Sequence, residues 1–195
     1  MLLMINILFM FVPYWIFVGM SPLLYRNELG VSLAHFGYYQ GVLALVFAAG
    51  SVIYGFMIKY YDHDYRTMLK ITALIYVVSM VMLGLAANMH SKSAVFITLG
   101  MTIFVVGQII PSTILYPICL NYLPSAKGKV SAIMQAGRLM LSAVGLQLAS
   151  HFYEGTFQPI GNIIVACIFI ATIMLVFINQ KARLLESGSY DQVKN

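Results

Sequence analysis

The chain has 195 residues, of which 61% are hydrophobic and only 9% are charged. Since a soluble domain usually carries about 25% charged residues, this composition excludes a water-covered globular surface and indicates an integral membrane protein. The formal net charge of +5 does not indicate a nucleic-acid partner, because the basic residues lie in short segments between hydrophobic runs, where they orient membrane helices.

Six hydrophobic segments follow one another along the chain. Each approaches or exceeds the roughly 20 residues that cross a bilayer core as a helix, and backbone groups in lipid must be satisfied within the segment. We therefore predict an all-α membrane protein with six transmembrane helices in one bundle over residues 1–180, followed by a cytoplasmic tail at 181–195. The predicted spans are 2–24, 36–58, 68–88, 94–121, 130–150 and 159–180.

The first run, from Met1 to Leu24, has no basic start and is too long for a secretory signal, so we interpret it as a span. The connections predict the orientation, because eight Lys and Arg residues fall on one side of the bundle and two on the other. By the positive-inside rule the side with eight is cytoplasmic, which puts both termini inside a cell (inner or plasma) membrane. The eight are Lys59, Arg66, Lys70, Lys127, Lys129, Lys181, Arg183 and Lys194; the two are Arg26 and Lys92.

The fourth span contains Pro111 and Pro117, six residues apart. Because each proline removes a backbone hydrogen bond, the pair predicts a bent or locally opened helix, as in bundles that rock or enclose a cavity. The alternative is that proline is simply more frequent in membrane helices than in soluble ones.

The fifth span carries Arg138, nine residues after Lys129 and therefore about 13 Å along a helix, close to the bilayer midplane. An arginine facing lipid there costs about 2.5–3.5 kcal/mol. Helical periodicity places it on one polar, small-residue face, which we expect to point into the bundle or a water-filled cavity. The alternative is a side chain that snorkels to the cytoplasmic interface. The face consists of Ser131, Gln135, Arg138, Ser142 and Gly145.

Polar and aromatic residues on other spans are further candidates for the same cavity, which would suit an amphipathic organic molecule. For any one of them the alternative is an interhelical hydrogen bond, worth about 0.6 kcal/mol on average. Beside Arg138 and Gln135, the candidates are Gln40, Gln108, Tyr116 and Tyr14.

Several kinds of chemistry have no residue pattern in this sequence. No Asp or Glu lies within a predicted span, and an arginine cannot carry a proton on and off, so the chain alone is poorly equipped for proton coupling. Cys119 and Cys167 lie in apolar runs and are expected to be core thiols. We find no catalytic grouping, metal-ligand cluster or phosphate-binding loop, and we expect neither an enzyme nor a cofactor.

Two segments carry a family resemblance. "GMSPLLYRNELGVSLAHFGYYQG" (19–41) and "IIPSTILYPICLNYLPSAKGKVSAIMQ" (109–135) resemble the seventh-helix exit and the tenth-to-eleventh helix passage of Bcr/CflA-type multidrug transporters, in the drug:proton antiporter branch of the major facilitator superfamily. The resemblance covers only the C-terminal six of that family's twelve helices.

The resemblance implies a half-bundle of two inverted three-helix repeats, which moves small organic molecules by alternating access. It also implies a second six-helix half as a partner, either another copy of this chain or a separate chain. A weak internal echo fits such repeats: Gln40 and Gly50, like Gln135 and Gly145, are ten residues apart. The alternative function is a non-transporting membrane scaffold or a truncated, inactive remnant.

Overall fold

A computed structural model of the chain describes residues 2–60, 65–89 and 92–180. These residues form six long helices and no strand, and each of the six is long and apolar enough to cross a membrane. The prediction of an all-α chain with six candidate transmembrane helices is confirmed. The predicted tail at 181–195 and the connection at 61–64 lie outside the described residues. The helices are α1 (Leu2–Leu23), α2 (Leu33–Tyr60), α3 (Tyr65–Asn88), α4 (Ala94–Asn121), α5 (Lys127–His151) and α6 (Phe157–Gln180).

Four of the helices, α2, α3, α5 and α6, begin two or three residues before the predicted apolar spans, and at α2 a serine caps the first turn. Ser32 accepts a hydrogen bond from the backbone N–H of His35 at 3.4 Å. Ser93 accepts one from Phe96 at the same distance and caps α4, which begins at the predicted residue. Such N-terminal caps add a polar turn that hydropathy alone does not register.

The end of α1 accommodates a proline and then widens. Pro22 lacks the N–H that would bond the carbonyl of Val18, and the Ser21 hydroxyl donates to that carbonyl instead, at 2.8 Å. A π-helical turn, Leu24–Glu28, follows directly. The hydroxyl thus supplies the hydrogen bond that Pro22 cannot make.

The fourth helix runs without interruption through both of its prolines. The hydroxyls of Ser112 and Thr113 each donate to the carbonyl of Ile109, at 2.8 Å. The fourth helix is therefore helical through both prolines, the predicted bend stays a prediction, and hydroxyl groups next to Pro111 bond the backbone.

Successive helices alternate in direction and share two buried clusters. One cluster takes residues from the starts of α1, α3 and α5 and from the ends of α2, α4 and α6. The start of α1 and the end of α6 therefore lie at the same end of the bundle. Residues that mark this end are Ile7, Tyr54, Leu69, Leu115, Val130 and Ile178.

The bundle has a definite set of packed pairs. Helix α1 packs against α4, α5 and α6, whereas α4 packs against α1, α2 and α3, and α3 also packs against α6. Helix α5 makes smaller contacts with α4 and α6. Among the six spans, α2 and α5 bury the smallest shares and α4 buries the largest. Two helices are thus left with faces that no other described part of the chain covers.

Candidate functional site

The face of α5 that contains Arg138 lies against α1. A Cβ at Gly145 would come within 2.8 Å of Ile16, and one at Gly137 within 3.1 Å of Leu8. These close approaches, one on each side of Arg138 along α5, hold the two helices together at its level. Because Gly145 shares a helix face with Arg138, that side chain is directed at α1.

The Arg138 guanidinium lies over two aromatic rings of α1. Its Cζ atom is 5.0 Å from the ring centroid of Phe11 and 6.0 Å from that of Trp15. Phe11 is the tenth residue of α1, about 14 Å from its start, so the charge sits near the middle of the span. Cation–π contacts stabilise a charge by about 0.5–2 kcal/mol. The guanidinium is therefore held at depth and does not reach toward Lys129 at the helix start.

The polar face of α5 divides into covered and uncovered parts. Ser142 and Gly145 are buried, and Arg138 and Ser131 are half-buried. The Ser131 hydroxyl pairs with that of Tyr116 on α4 at 3.1 Å. Gln135 is exposed, beside Arg138 but outside the α1 contact. The polar face is thus continuous along α5, but only its C-terminal part, at Ser142 and Gly145, is buried.

Gln40 has a structural partner at the proline of α1. Its amide donates to the Ser21 hydroxyl at 2.8 Å, and Ser21 in turn bonds the carbonyl of Val18. The geometry fits the interhelical hydrogen bond that the sequence left open as an alternative for this residue.

The remaining two candidates differ in their surroundings. Gln108 is 1% exposed, and its side-chain nitrogen has no hydrogen-bond partner in the described chain. Tyr14 is half-buried and makes an edge contact with Trp15, with ring centroids 5.9 Å apart. Tyr14 therefore borders the aromatic pair that holds Arg138.

Within the described residues, no hydrogen bond or ring contact joins two of the six predicted site residues directly. Trp15 links Tyr14 to Arg138. Tyr116, near the end of α4, and Gln40, near the start of α2, contact other residues. The compact group in the middle of the bundle is therefore Arg138 with the α1 aromatics.

Phe11 and Trp15 are the residues of this group that the sequence reasoning missed. The signal was their spacing of four, which puts both rings on one face of the first span. Their depth is a second signal, since Phe11 lies nine residues from the start of α1, as Arg138 lies nine from Lys129. Aromatic residues are common in membrane helices, and only knowledge that α1 pairs with α5 selects these two.

Acidic groups in the described chain stay at the margins of the bundle. Glu28 ends the first candidate span and Glu154 lies between α5 and α6. Burial, and then the nearby charge of Glu28, raises the pKa of the Tyr153 phenol, which therefore stays neutral in its loop at physiological pH. No three His, Cys, Asp or Glu side chains among the described residues come close enough to hold a metal ion.

Comparison of the chain with protein-family models, curated proteins and solved structures finds no match. The interpretation of the site therefore depends on its own geometry. That geometry is a guanidinium at mid-span depth, held by two aromatic rings between a pair of closely packed helices.

Proposed function

We propose that this chain is one six-helix half of a transporter of small organic molecules, of the major facilitator type and closest to multidrug exporters. It would work by alternating access against a second six-helix bundle, in the cell membrane with both termini cytoplasmic. The second bundle is another copy of the chain or a separate chain.

The observation that carries the proposal is the symmetry of the helix pairs. Exchanging α1, α2 and α3 with α4, α5 and α6 turns the pair α1–α5 into α4–α2 and the pair α1–α6 into α4–α3. The pairs α1–α4 and α3–α6 map onto themselves, and these six pairs are all packed in this bundle. The smaller contacts α4–α5 and α5–α6 are not matched by α1–α2 and α2–α3 contacts of that size. Since α1 and α4 run in opposite directions, the six packed pairs are those expected of two inverted three-helix repeats, as transporters contain.

The uncovered face of α2 is a second observation in favour of the proposed second bundle. Small residues recur on it at spacings of four and three, and beside them runs a separate strip of large apolar residues. A Cβ at Gly37, Gly41 or Gly55 would meet nothing within 4 Å. The α2 small-residue strip consists of Gly37, Gly41, Ala44, Ala48, Ser51 and Gly55, and the large-residue strip of Tyr38, Val42, Leu45, Val52 and Phe56.

Small residues allow close helix–helix approach in membranes, whereas large apolar residues suit contact with lipid tails. The α5 helix, which takes the place of α2 under the exchange, also exposes small and polar residues. They include Gly128, Ala132, Gln135, Ala143 and Gln147. Lipid suits Gln135 and Gln147 poorly, so we assign this face and the α2 small-residue strip to the second bundle and the cavity between the halves.

The alternative is a membrane scaffold that binds other chains without transport. The observation in its favour is that the described spans hold no carboxylate within their length, since Glu28 and Glu154 lie at a span end and in a connection. Proton-coupled transport needs an embedded group that titrates near neutral pH. On the transport proposal, that group belongs to the second bundle.

The test is purification in a mild neutral detergent, followed by transport in proteoliposomes. We expect the protein mass of the detergent particle, without its bound detergent, to exceed the 21.7 kDa of one chain. We also expect protein-dependent release of a trapped dye, with fluorescein as an anionic probe and ethidium as a cationic one. Replacing Arg138 by Leu should lower the rate, because Arg138 lies at the site. A stable single chain that releases no dye would favour the scaffold, and full activity of Arg138→Leu would remove the arginine from the cavity.

A further inference from the structure

The positive charge of Arg138 has aromatic neighbours but no acceptor. Its Nε atom is buried and has no hydrogen-bond partner in the described chain. The faces of Phe11 and Trp15 stabilise a cation, but they offer no oxygen to its five N–H donors. A buried donor left unpaired costs about 1–3 kcal/mol, and more for a charged group.

A second unpaired group lies one helical turn away. Ser142 is 8% exposed, and its hydroxyl has no hydrogen-bond partner in the part of the chain that the structure describes. Six other helical hydroxyls of the described chain donate to the carbonyl four residues earlier, and those of Ser21 and Ser112 donate to the carbonyl three residues earlier. For Ser142 the carbonyl four residues earlier belongs to Arg138, and the bond is not made. Residues four apart are neighbours on a helix face, about 6 Å between Cβ atoms.

No acidic group of the described spans is available to pair with these donors, since Glu28 and Glu154 are the carboxylates present and both lie at the margins. An uncompensated charge at mid-span depth is costly. The described chain supplies no acceptor for the buried Nε atom, which leaves it free to pair with an acceptor from outside the described chain. A guanidinium fork matches the two oxygens of a carboxylate better than any other common anion except a phosphate.

We propose that Arg138, assisted by Ser142, binds the carboxylate of an amphipathic organic acid whose apolar body lies against the α1 aromatics. Trp15 keeps 38% of its surface exposed, so one edge of the site is open to such a body. The inference deepens the proposed transport function, because it assigns the substrate class of the same site. A carboxylate side chain of the second bundle is the other source of the same chemistry.

The fluorescence of the single tryptophan can report ligand binding at this site. Trp15 is the only tryptophan, and its ring centroid lies 6.0 Å from the Arg138 Cζ atom. The full-length chain in neutral detergent is titrated with benzoate at neutral pH, with the emission of Trp15 as the readout. Benzamide, a neutral molecule of nearly the same shape, is titrated in parallel on the same protein.

We expect a saturable change with benzoate and none with benzamide over the same range. Arg138→Lys keeps a point charge without the fork and should weaken benzoate binding by about tenfold or more, and Arg138→Gln should abolish it. Met140→Ala, at an exposed position on the opposite face of α5, should titrate like the unmodified chain. Equal responses to the two ligands would overturn the inference on the unmodified protein alone, without any variant that must fold.

Two further arms separate the possible sources and the two proposals. If a second chain co-purifies, the titration is repeated on the complex. A response there supports an organic acid as ligand, whereas its loss means that a partner carboxylate fills the site and overturns the substrate role. Binding is measured without transport, so a chain that binds benzoate but moves no dye leaves this inference standing and removes the proposed function.

Discussion

At the scale of single residues, a serine hydroxyl replaces a backbone hydrogen-bond donor that a proline lacks. The Val18 carbonyl loses its helical donor to Pro22 and receives the Ser21 hydroxyl instead, at 2.8 Å. Gln40 donates to the same hydroxyl from α2, also at 2.8 Å. One serine therefore satisfies α1 and joins it to α2.

Removing this hydroxyl should lower the free energy of unfolding more when Pro22 is present than when it is replaced. Ser21→Ala leaves the Val18 carbonyl and the Gln40 amide without partners, and we expect a loss of about 1 kcal/mol in the free energy of unfolding. In a Pro22→Ala background, an N–H returns to the Val18 carbonyl, so the same substitution should cost less. Thermal unfolding of the four proteins in detergent, followed by circular dichroism, completes the cycle. An equal cost in both backgrounds would show that the hydroxyl does not replace the missing donor.

At the scale of helices, the sequence was sufficient to predict the six long helices of the described residues, though not the short turns Leu24–Glu28 and Pro124–Ala126. Length and hydropathy determine a span because lipid provides no partner for an unpaired backbone. The first residues of α2, α3, α5 and α6 were not predicted, since hydropathy does not register a polar first turn or a cap such as Ser32 at α2. The charge of Arg138 was found because it is rare at that depth. Its neighbours Phe11 and Trp15 were not, because they depend on which helices pack together.

One helix contact leaves no room for a methyl group. A Cβ at Gly161 of α6 would lie 2.8 Å from the Cβ of Ala87 on α3, an atom that cannot move without its backbone. We predict that Gly161→Ala destabilises the chain by about 1–3 kcal/mol, measured as a lower temperature of thermal unfolding in detergent.

The matched control for this contact is Gly84 on α3, where a Cβ would meet nothing within 4 Å. Since alanine favours helix over glycine by about 1 kcal/mol, Gly84→Ala should be neutral or stabilising. Adding Ala87→Gly to Gly161→Ala should restore part of the lost stability, because it removes the opposing methyl. If Gly161→Ala and Gly84→Ala behave alike, the close approach of α3 and α6 is wrong.

At the scale of the whole molecule, the six helices are unequally buried: α4 is the most covered by its neighbours, and α2 and α5 are the least. Its core draws on all six helices, yet α2 and α5 leave most of their surface uncovered. In the proposed inverted-repeat arrangement these two helices take equivalent positions, and the proposal assigns the open faces of both to the second bundle.

The proposed assembly depends on the α2 small-residue strip, and a bulky side chain there should block it. Ala48→Trp places an indole in the strip at a helix–helix contact that requires close approach, so we expect the particle to fall to the mass of one 21.7 kDa chain. Leu45→Trp is the control, because Leu45 is 70% exposed on the neighbouring large-residue strip, which we assign to lipid. Light scattering after size-exclusion chromatography measures both masses, with circular dichroism as the check that each variant is folded. Dissociation by Leu45→Trp as well, or an intact assembly in Ala48→Trp, would place the second bundle elsewhere.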